Sequence, residues 1–316
     1  MSFMDPNGSL IFPSQVSTIA PEVDALFDFI LYLSIIFFIL IVGGTFYFVW
    51  KYRKKGEDTF TKDLSHNNML EVLWTVIPTI LVFIVFVWGF KSYMKMTVPP
   101  DTSMEVKVTG QKWFWTFNYP EGATTTNELV VPVDQPVKLL MSSTDVIHSF
   151  FVPNFRTKMD VLPNRYTQLW FEATETGEYN LFCTEYCGKG HSEMIGKVKV
   201  LSRADYDSWL AGAGNAGANM KPEEFGAKLY KDKACFTCHS IDGSPLVGPS
   251  FKGIFGRTEK MTDGSEATAD ENYLRESILE PQAKVVQGYQ PIMPTYQGVL
   301  KDDEIDALIA YFKTLK

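Results

Sequence analysis

The chain holds four cysteines and four histidines, and all of the cysteines and three of the histidines fall in short spacings suited to metal chemistry. Cys235-Phe236-Thr237-Cys238-His239 is a C-x-x-C-H run. In such a run two thiols form thioether links to haem vinyl groups and the adjacent imidazole ligates the iron. A disulfide or half of a zinc site are the competing uses of the thiol pair, and the immediate His favours haem. A methionine as sixth ligand would raise the haem potential. Met293 is the best placed, in Pro291-Ile292-Met293-Pro294, where a proline-held segment ahead of a closing helix can present sulfur to a metal. Met261 and Met220 compete for the role, since any single Met is also an ordinary core filler.

The second concentration runs from Cys183 to Met194, in Cys183-Thr184-Glu185-Tyr186-Cys187-Gly188-Lys189-Gly190-His191-Ser192-Glu193-Met194. Two thiolates, an imidazole and a thioether in one loop are soft donors of the kind that select copper. Zinc and a disulfide are the alternatives, although structural zinc sites favour C-x-x-C pairs and rarely use Met. Such a centre needs a second imidazole, and His148 in Asp145-Val146-Ile147-His148-Ser149-Phe150 supplies it upstream. His66, with no Cys or second His near it, reads as a solvated loop residue.

These donors need scaffolds, and the hydropathy pattern supplies three kinds. Phe29 to Trp50 and Val72 to Phe90 lack charged side chains, and each is long enough to cross a hydrocarbon core of about 30 Å. Gly43, Gly44 and Pro78 are tolerated in lipid-embedded helices. The loop between the spans carries Lys51, Arg53, Lys54, Lys55 and Lys62, whereas the tail before Phe29 has no Lys or Arg. That asymmetry puts the loop in the cytoplasm and the rest of the chain outside. The first span is expected to act as the insertion signal.

After Pro100 the pattern changes to short strand-like segments, beginning with Met104 to Gly110 and Lys112 to Tyr119 and continuing with Glu128 to Val131, Val137 to Ser143, Tyr166 to Glu172, Gly177 to Cys183 and Ile195 to Val200. Ser202 caps a helix expected to end near Leu210, and Ala211 to Asn219 reads as a flexible tether. Helical periodicity follows from Pro222 to a closing helix near Asp302 to Leu315, striped by Ile305, Leu308, Ile309 and Phe312. The expected divisions are 1–100 for the tail and spans, 101–210 for the β domain, 211–221 for the linker and 222–316 for the haem domain. The fold class is thus a multidomain membrane protein with a two-helix hairpin, an all-β domain and an all-α domain. A net charge of −8 argues against a nucleic-acid partner.

C-x-E-x-C-x3-H-x2-M with an upstream D-V-x-H-S-F resembles the CuA centre of subunit II of haem-copper oxidases. The resemblance covers the whole chain: two N-terminal spans, a cupredoxin-like domain and a C-terminal cytochrome c domain are similar to the fused subunit II of caa-type oxidases. It implies that Cys183 and Cys187 bridge two coppers, that His148, His191 and Met194 terminate the pair, and that the Glu185 carbonyl completes it. The Glu185 side chain would reach a magnesium ion at the boundary with subunit I. Residues 222 to 316 resemble small monohaem cytochromes c, including Gly253-Ile254-Phe255-Gly256-Arg257 and the Gly248-Pro249 pair that those proteins place against the proximal His. Trp113, in Gly110-Gln111-Lys112-Trp113-Phe114-Trp115, matches the residue that passes electrons to copper, or is a packed core ring. Glu71 matches a proton-path residue, or is an acid at a span end.

The function this implies is the electron-receiving subunit of a cytochrome c oxidase in the bacterial inner membrane, with haem c and CuA in this chain. Oxygen chemistry would fall to subunit I, with subunit III alongside and a cytochrome c or quinol-oxidising complex as donor. A nitrous oxide reductase needs more histidines, and a quinol oxidase subunit lacks these copper ligands. A freestanding membrane-anchored haem and copper carrier is the alternative that stays open.

Overall fold

The structure, a computed structural model, describes residues 8–9, 11–56, 66–213 and 220–316. Lys62 of the basic loop and residues 214–219 of the expected tether lie outside the described residues. The chain forms two compact units, one of residues 1–99 with 154–156 and one of residues 100–153 with 157–316.

In the first unit the apolar runs become two long helices, α1 (Ala20–Tyr52) and α2 (Asn68–Thr97), each containing one of the expected spans. A proline in the first turn opens α1, and the Asn67 side chain caps α2 by accepting from the Leu70 amide. Near the start of α1 and the end of α2 the helices are tied by Glu22, which accepts from Ser92 at 2.8 Å and pairs with Lys95 at 2.7 Å. Phe29 and Trp88 meet below, with ring centroids 5.7 Å apart. Large apolar side chains such as Phe38, Ile39, Phe83 and Phe86 remain bare along both helices. Apolar surface of that extent requires lipid or another protein to cover it.

Ahead of α1 the tail is held by residues 154–156. The Val16 amide donates to the Asn154 carbonyl at 3.1 Å, and the Ser17 hydroxyl donates to the Phe155 carbonyl at 2.9 Å. Arg156 grips Asp24 through two nitrogens at 2.8 and 2.9 Å, and the two side chains are only 4% and 3% exposed. Removing one partner of a buried pair strands the other charge. An Arg156→Met chain is therefore expected to lose about 3–5 kcal/mol of stability, seen as a lowered Tm of the detergent-purified protein.

The second unit starts with a sandwich of ten strands: β1 (Met104–Gln111), β2 (Phe114–Asn118), β3 (Thr124–Thr126), β4 (Glu128–Pro132), β5 (Pro136–Ser143), β6 (His148–Val152), β7 (Thr157–Val161), β8 (Thr167–Glu172), β9 (Gly177–Cys183) and β10 (Ile195–Leu201). One sheet runs β3-β2-β1-β5-β8 and the other β4-β10-β9-β6-β7. The pairs β1/β5 and β4/β10 are parallel and the others antiparallel. Alternation is clearest along β5 and β10, and Trp115, Phe117, Leu129, Leu139, Phe150, Phe171 and Leu181 fill the core. Three strands go beyond the sequence reading: β3, β6 and β7. The start of β2 also moves from Lys112 to Phe114, because Lys112 and Trp113 form the turn from β1.

The following helix, α3 (Arg203–Ala213), is capped as expected: the Asp205 amide donates to the Ser202 hydroxyl at 3.2 Å, and that hydroxyl donates to the Asp205 carboxylate at 2.6 Å. It runs three residues past Leu210, so Ala211 to Ala213 are helical rather than tether.

The C-terminal region is helical, with α4 (Pro222–Asp232), α5 (Glu271–Leu279) and α6 (Asp302–Thr314), plus one small hairpin of β11 (Thr258–Lys260) and β12 (Glu266–Thr268). Here α4 and α6 touch backbone to backbone at Gly226, where a Cβ would lie 2.0 Å from the Ala307 carbonyl oxygen. Phe225, Leu229 and Tyr230 from α4 join the expected stripe of α6 in the core.

Candidate metal centres

The sheet brings the copper donors together. β6 and β9 are neighbours with Phe150 opposite Cys183, so His148 at the head of β6 lies beside the strand that ends in Cys183. The loop from Thr184 to Met194 folds back over this end, and the Cys183 amide donates to the Met194 carbonyl at 3.3 Å. The donor atoms then form an unbroken chain of near contacts. His148 Nδ1 is 3.9 Å from Cys183 Sγ, which is 3.8 Å from Cys187 Sγ. Cys187 Sγ is in turn 3.5 Å from His191 Nδ1 and 3.8 Å from Met194 Sδ. The Glu185 carbonyl lies 3.3 Å from Cys183 Sγ, while the Glu185 side chain is exposed. Both cysteines are free thiols. Five soft or borderline donors crowded into so small a space fit copper.

Asp145 orients this cluster, a role that sequence reading did not assign. Its Oδ1 accepts from His148 Nε2 at 2.8 Å, which leaves Nδ1 as the imidazole's free donor atom. Its Oδ2 accepts from the Lys112 amide at 2.8 Å. Burial alone would raise the Asp145 pKa, but the bonds from His148 and two backbone amides outweigh it and the carboxyl titrates low. Burial likewise opposes charge on His148, and Asp145 and Cys183 outweigh it, so that pKa rises. In the thiol pair, the hydrogen bond from Cys187 draws the Cys183 pKa down while Cys187 is pushed up. An Asp145→Asn chain is expected to hold copper about 10–100-fold more weakly, measured by copper retained against a graded chelator.

Trp113 is 6% exposed and lies on the copper loop. A Cβ at Gly190 would come within 2.6 Å of its ring, and one at Gly188 within 3.3 Å. Its indole Nε1 is buried without a hydrogen-bond partner. The two glycines are therefore space requirements of the indole. Glu71 sits exposed in the first turn of α2, and His66 is exposed just before that helix.

The residues expected to hold haem surround a cleft enclosing about 1250 Å³, its solvent mouth included. Cys235, Cys238, His239 and Met293 all line it. Met261 is instead buried in the core at 2% exposure, and Met220 is exposed. His239 is fixed from three directions. Its Nδ1 donates to the Pro249 carbonyl at 2.7 Å, its ring stacks on Phe251 at 4.4 Å, and its own carbonyl accepts from the Tyr230 hydroxyl at 2.6 Å. Nε2 is thereby left as the free donor. Burial lowers the His239 pKa, and the bond to the Pro249 carbonyl opposes that shift without cancelling it. Burial also pushes the Cys235 thiol up to about 12 and raises Cys238. Gly248 must lack a side chain, because a Cβ there would sit 2.6 Å from the His239 ring. A mainly apolar cleft walled by two thiols, a positioned imidazole and a thioether fits haem.

The family described as cytochrome c oxidase subunit II, transmembrane domain, matches residues 6–92, and the periplasmic domain of the same subunit matches residues 122–201. The cytochrome c family matches residues 224–316. The chain is 34% identical over 290 residues to cytochrome c oxidase subunit 2 of Alkalihalophilus pseudofirmus, covering 88% of this chain and 82% of the relative. It is 29% identical over 238 residues to a probable cytochrome c oxidase subunit 2 of Rickettsia bellii, covering 68% and 88%. Among solved structures, the periplasmic domain of subunit II of cytochrome oxidase from Bradyrhizobium japonicum is 30% identical, with a TM-score of 0.36 over 37% of this chain and 98% of that one.

Proposed function

Because this chain belongs to the family of cytochrome c oxidase subunit II and carries a cytochrome c domain after it, we propose that it is the electron-receiving subunit of a respiratory terminal oxidase. Bound haem c and the dinuclear copper pair supply one-electron chemistry in series, from the donor toward the haem-copper subunit I that reduces oxygen to water and translocates protons. The observation that carries this reading is the convergence of His148, Cys183, Cys187, His191 and Met194, each donor atom within 3.9 Å of the Cys183 or Cys187 sulfur.

The chain's residues hold, orient and shield. Cys183, Cys187, His148, His191, Met194 and the Glu185 carbonyl would hold the copper pair. Cys235 and Cys238 would hold the haem through thioethers, and His239 and Met293 would supply the donor atoms for its iron. Asp145 and the Pro249 carbonyl hold the two imidazoles in their ligating tautomers. The apolar walls keep water from the haem, which together with Met ligation favours a high potential. Trp113 is proposed to receive electrons beside the copper loop, and Glu71 to stand near a proton path of subunit I. The exposed Glu185 carboxylate would reach magnesium at that subunit's boundary.

The bare helical hairpin is the surface for lipid and for subunits I and III. The proposed divisions are 1–100, 101–213, 214–221 and 222–316, the end of α3 moving the expected boundary from 210 to 213. The basic loop faces the cytoplasm of a bacterial inner membrane, and both cofactor domains face the outside, where a cytochrome c or quinol-oxidising complex can donate. The test is gentle membrane solubilisation followed by purification on this chain. Two coppers and one covalent haem per chain, near-infrared absorption of a mixed-valence copper pair, and co-purifying haem a with oxygen uptake are expected. Covalent haem and copper without the last two would instead identify a freestanding electron carrier.

A further inference from the structure

Phe114 is out of place for a residue of the copper domain. Side chains alternate along β2, and Trp115 and Phe117 point inward, where both meet Phe150 with centroids 5.6 and 6.4 Å away. Phe114 must then point outward, toward what would be water in an isolated sandwich. It is nevertheless only 2% exposed. Its ring lies parallel to that of Tyr296, with centroids 5.6 Å apart and planes 3° from parallel. It also belongs to the apolar cluster built by Leu229, Ile254, Leu274 and Leu308 of the haem domain.

Tyr296 is itself held firmly. It is 6% exposed, its hydroxyl donates to the Lys233 carbonyl at 2.8 Å, and its amide donates to the Ile278 carbonyl at 3.1 Å. Both Phe114 and Lys112 line the cleft that holds Cys235, His239 and Met293. The residue between them, Trp113, covers Gly188 and Gly190 of the copper loop. Three consecutive residues of one turn therefore serve two sites.

We propose that the turn Lys112–Phe114 is the copper domain's share of the haem site: Phe114 docks on Tyr296, closes one wall of the haem cleft and holds the haem domain against the copper domain. The cleft is complete only when the two domains are docked. An outward aromatic buried in a neighbour's core is the kind of residue that dominates an interface.

This inference rests on the haem reading for its purpose, but the contact itself is tested without turnover. Hydrogen exchange is followed in the full chain within its detergent-solubilised complex, with covalent haem and near-infrared copper absorption recorded on the same samples. Phe114→Ala is expected to speed amide exchange across Tyr289 to Leu300 about tenfold or more and to make the segment 211–221 more sensitive to protease, with haem and copper contents unchanged. Phe114→Tyr, which keeps the ring, is expected to retain protection. If Phe114→Ala does not accumulate, Phe114→Leu carries the same comparison, since it keeps an apolar side chain and loses only the stack. Unaltered exchange and protease sensitivity in the Ala or Leu chain, with both centres present, would overturn the docking contact. Absence of haem and copper from the unaltered protein would instead overturn the functional reading and leave the exchange result to decide the contact alone.

Discussion

A Cys187→Ser chain is expected to lose the near-infrared absorption of the copper pair and to fall well below two coppers per chain. Cys187 is the hub of the donor set, since its sulfur is the neighbour of Cys183, His191 and Met194 alike. Serine keeps the size and the loop's backbone but replaces a soft donor by a hard one that copper binds poorly. Groups that merely orient metal ligands cost about 10–100-fold in affinity when removed, so losing this thiolate should exceed that range. Metal analysis and the near-infrared spectrum provide the check. The haem spectrum should be untouched, because no haem donor lies in the copper loop. A Cys187→Ser protein that retained two coppers and full oxygen uptake would contradict the assignment of that loop.

The second large effect concerns His239. His239→Ala removes the only His lining the cleft, and the expected result is loss of the low-spin haem spectrum while the porphyrin stays covalently bound through Cys235 and Cys238. A gentler version tests the positioning. Gly248→Ala would place a Cβ 2.6 Å from the ring, and the imidazole or the loop must then move. Overpacking of this kind costs about 1–3 kcal/mol, so the Gly248→Ala protein should show a lowered Tm and a partly high-spin spectrum at normal haem content. An unchanged spectrum would mean that the imidazole has room that the structure denies it.

Much of this was legible in the sequence wherever the signal was local. The C-x-x-C-H run, the sulfur-rich loop and the charge-free spans are each contiguous, and β9 was read to the residue as Gly177 to Cys183. What escaped was set by contacts between distant segments. β6 has no alternation to read, because four of its five residues are buried. β3 is three threonines that make a strand only by pairing with β2. α5 reads as polar, and only Tyr273, Leu274 and Ile278 reach the core. Asp145 stood inside a quoted motif, but its double service to His148 and Lys112 depends on the turn after β1 arriving beside it. The expectation of a proline against the proximal imidazole was right in place, and the structure adds that the working atom is the Pro249 carbonyl oxygen.

The backbone contact of Gly226 with Ala307 bears on the order of events during biogenesis. It joins the first and last helices of the haem domain, so nothing between them can be sealed until both have been made and brought together. Until then Cys235 and Cys238 remain reachable, and porphyrin can be delivered to an open polypeptide. A Gly226→Val chain, unable to bring the two helices together, should thus still acquire its thioethers yet fail to mature into a protease-resistant fold.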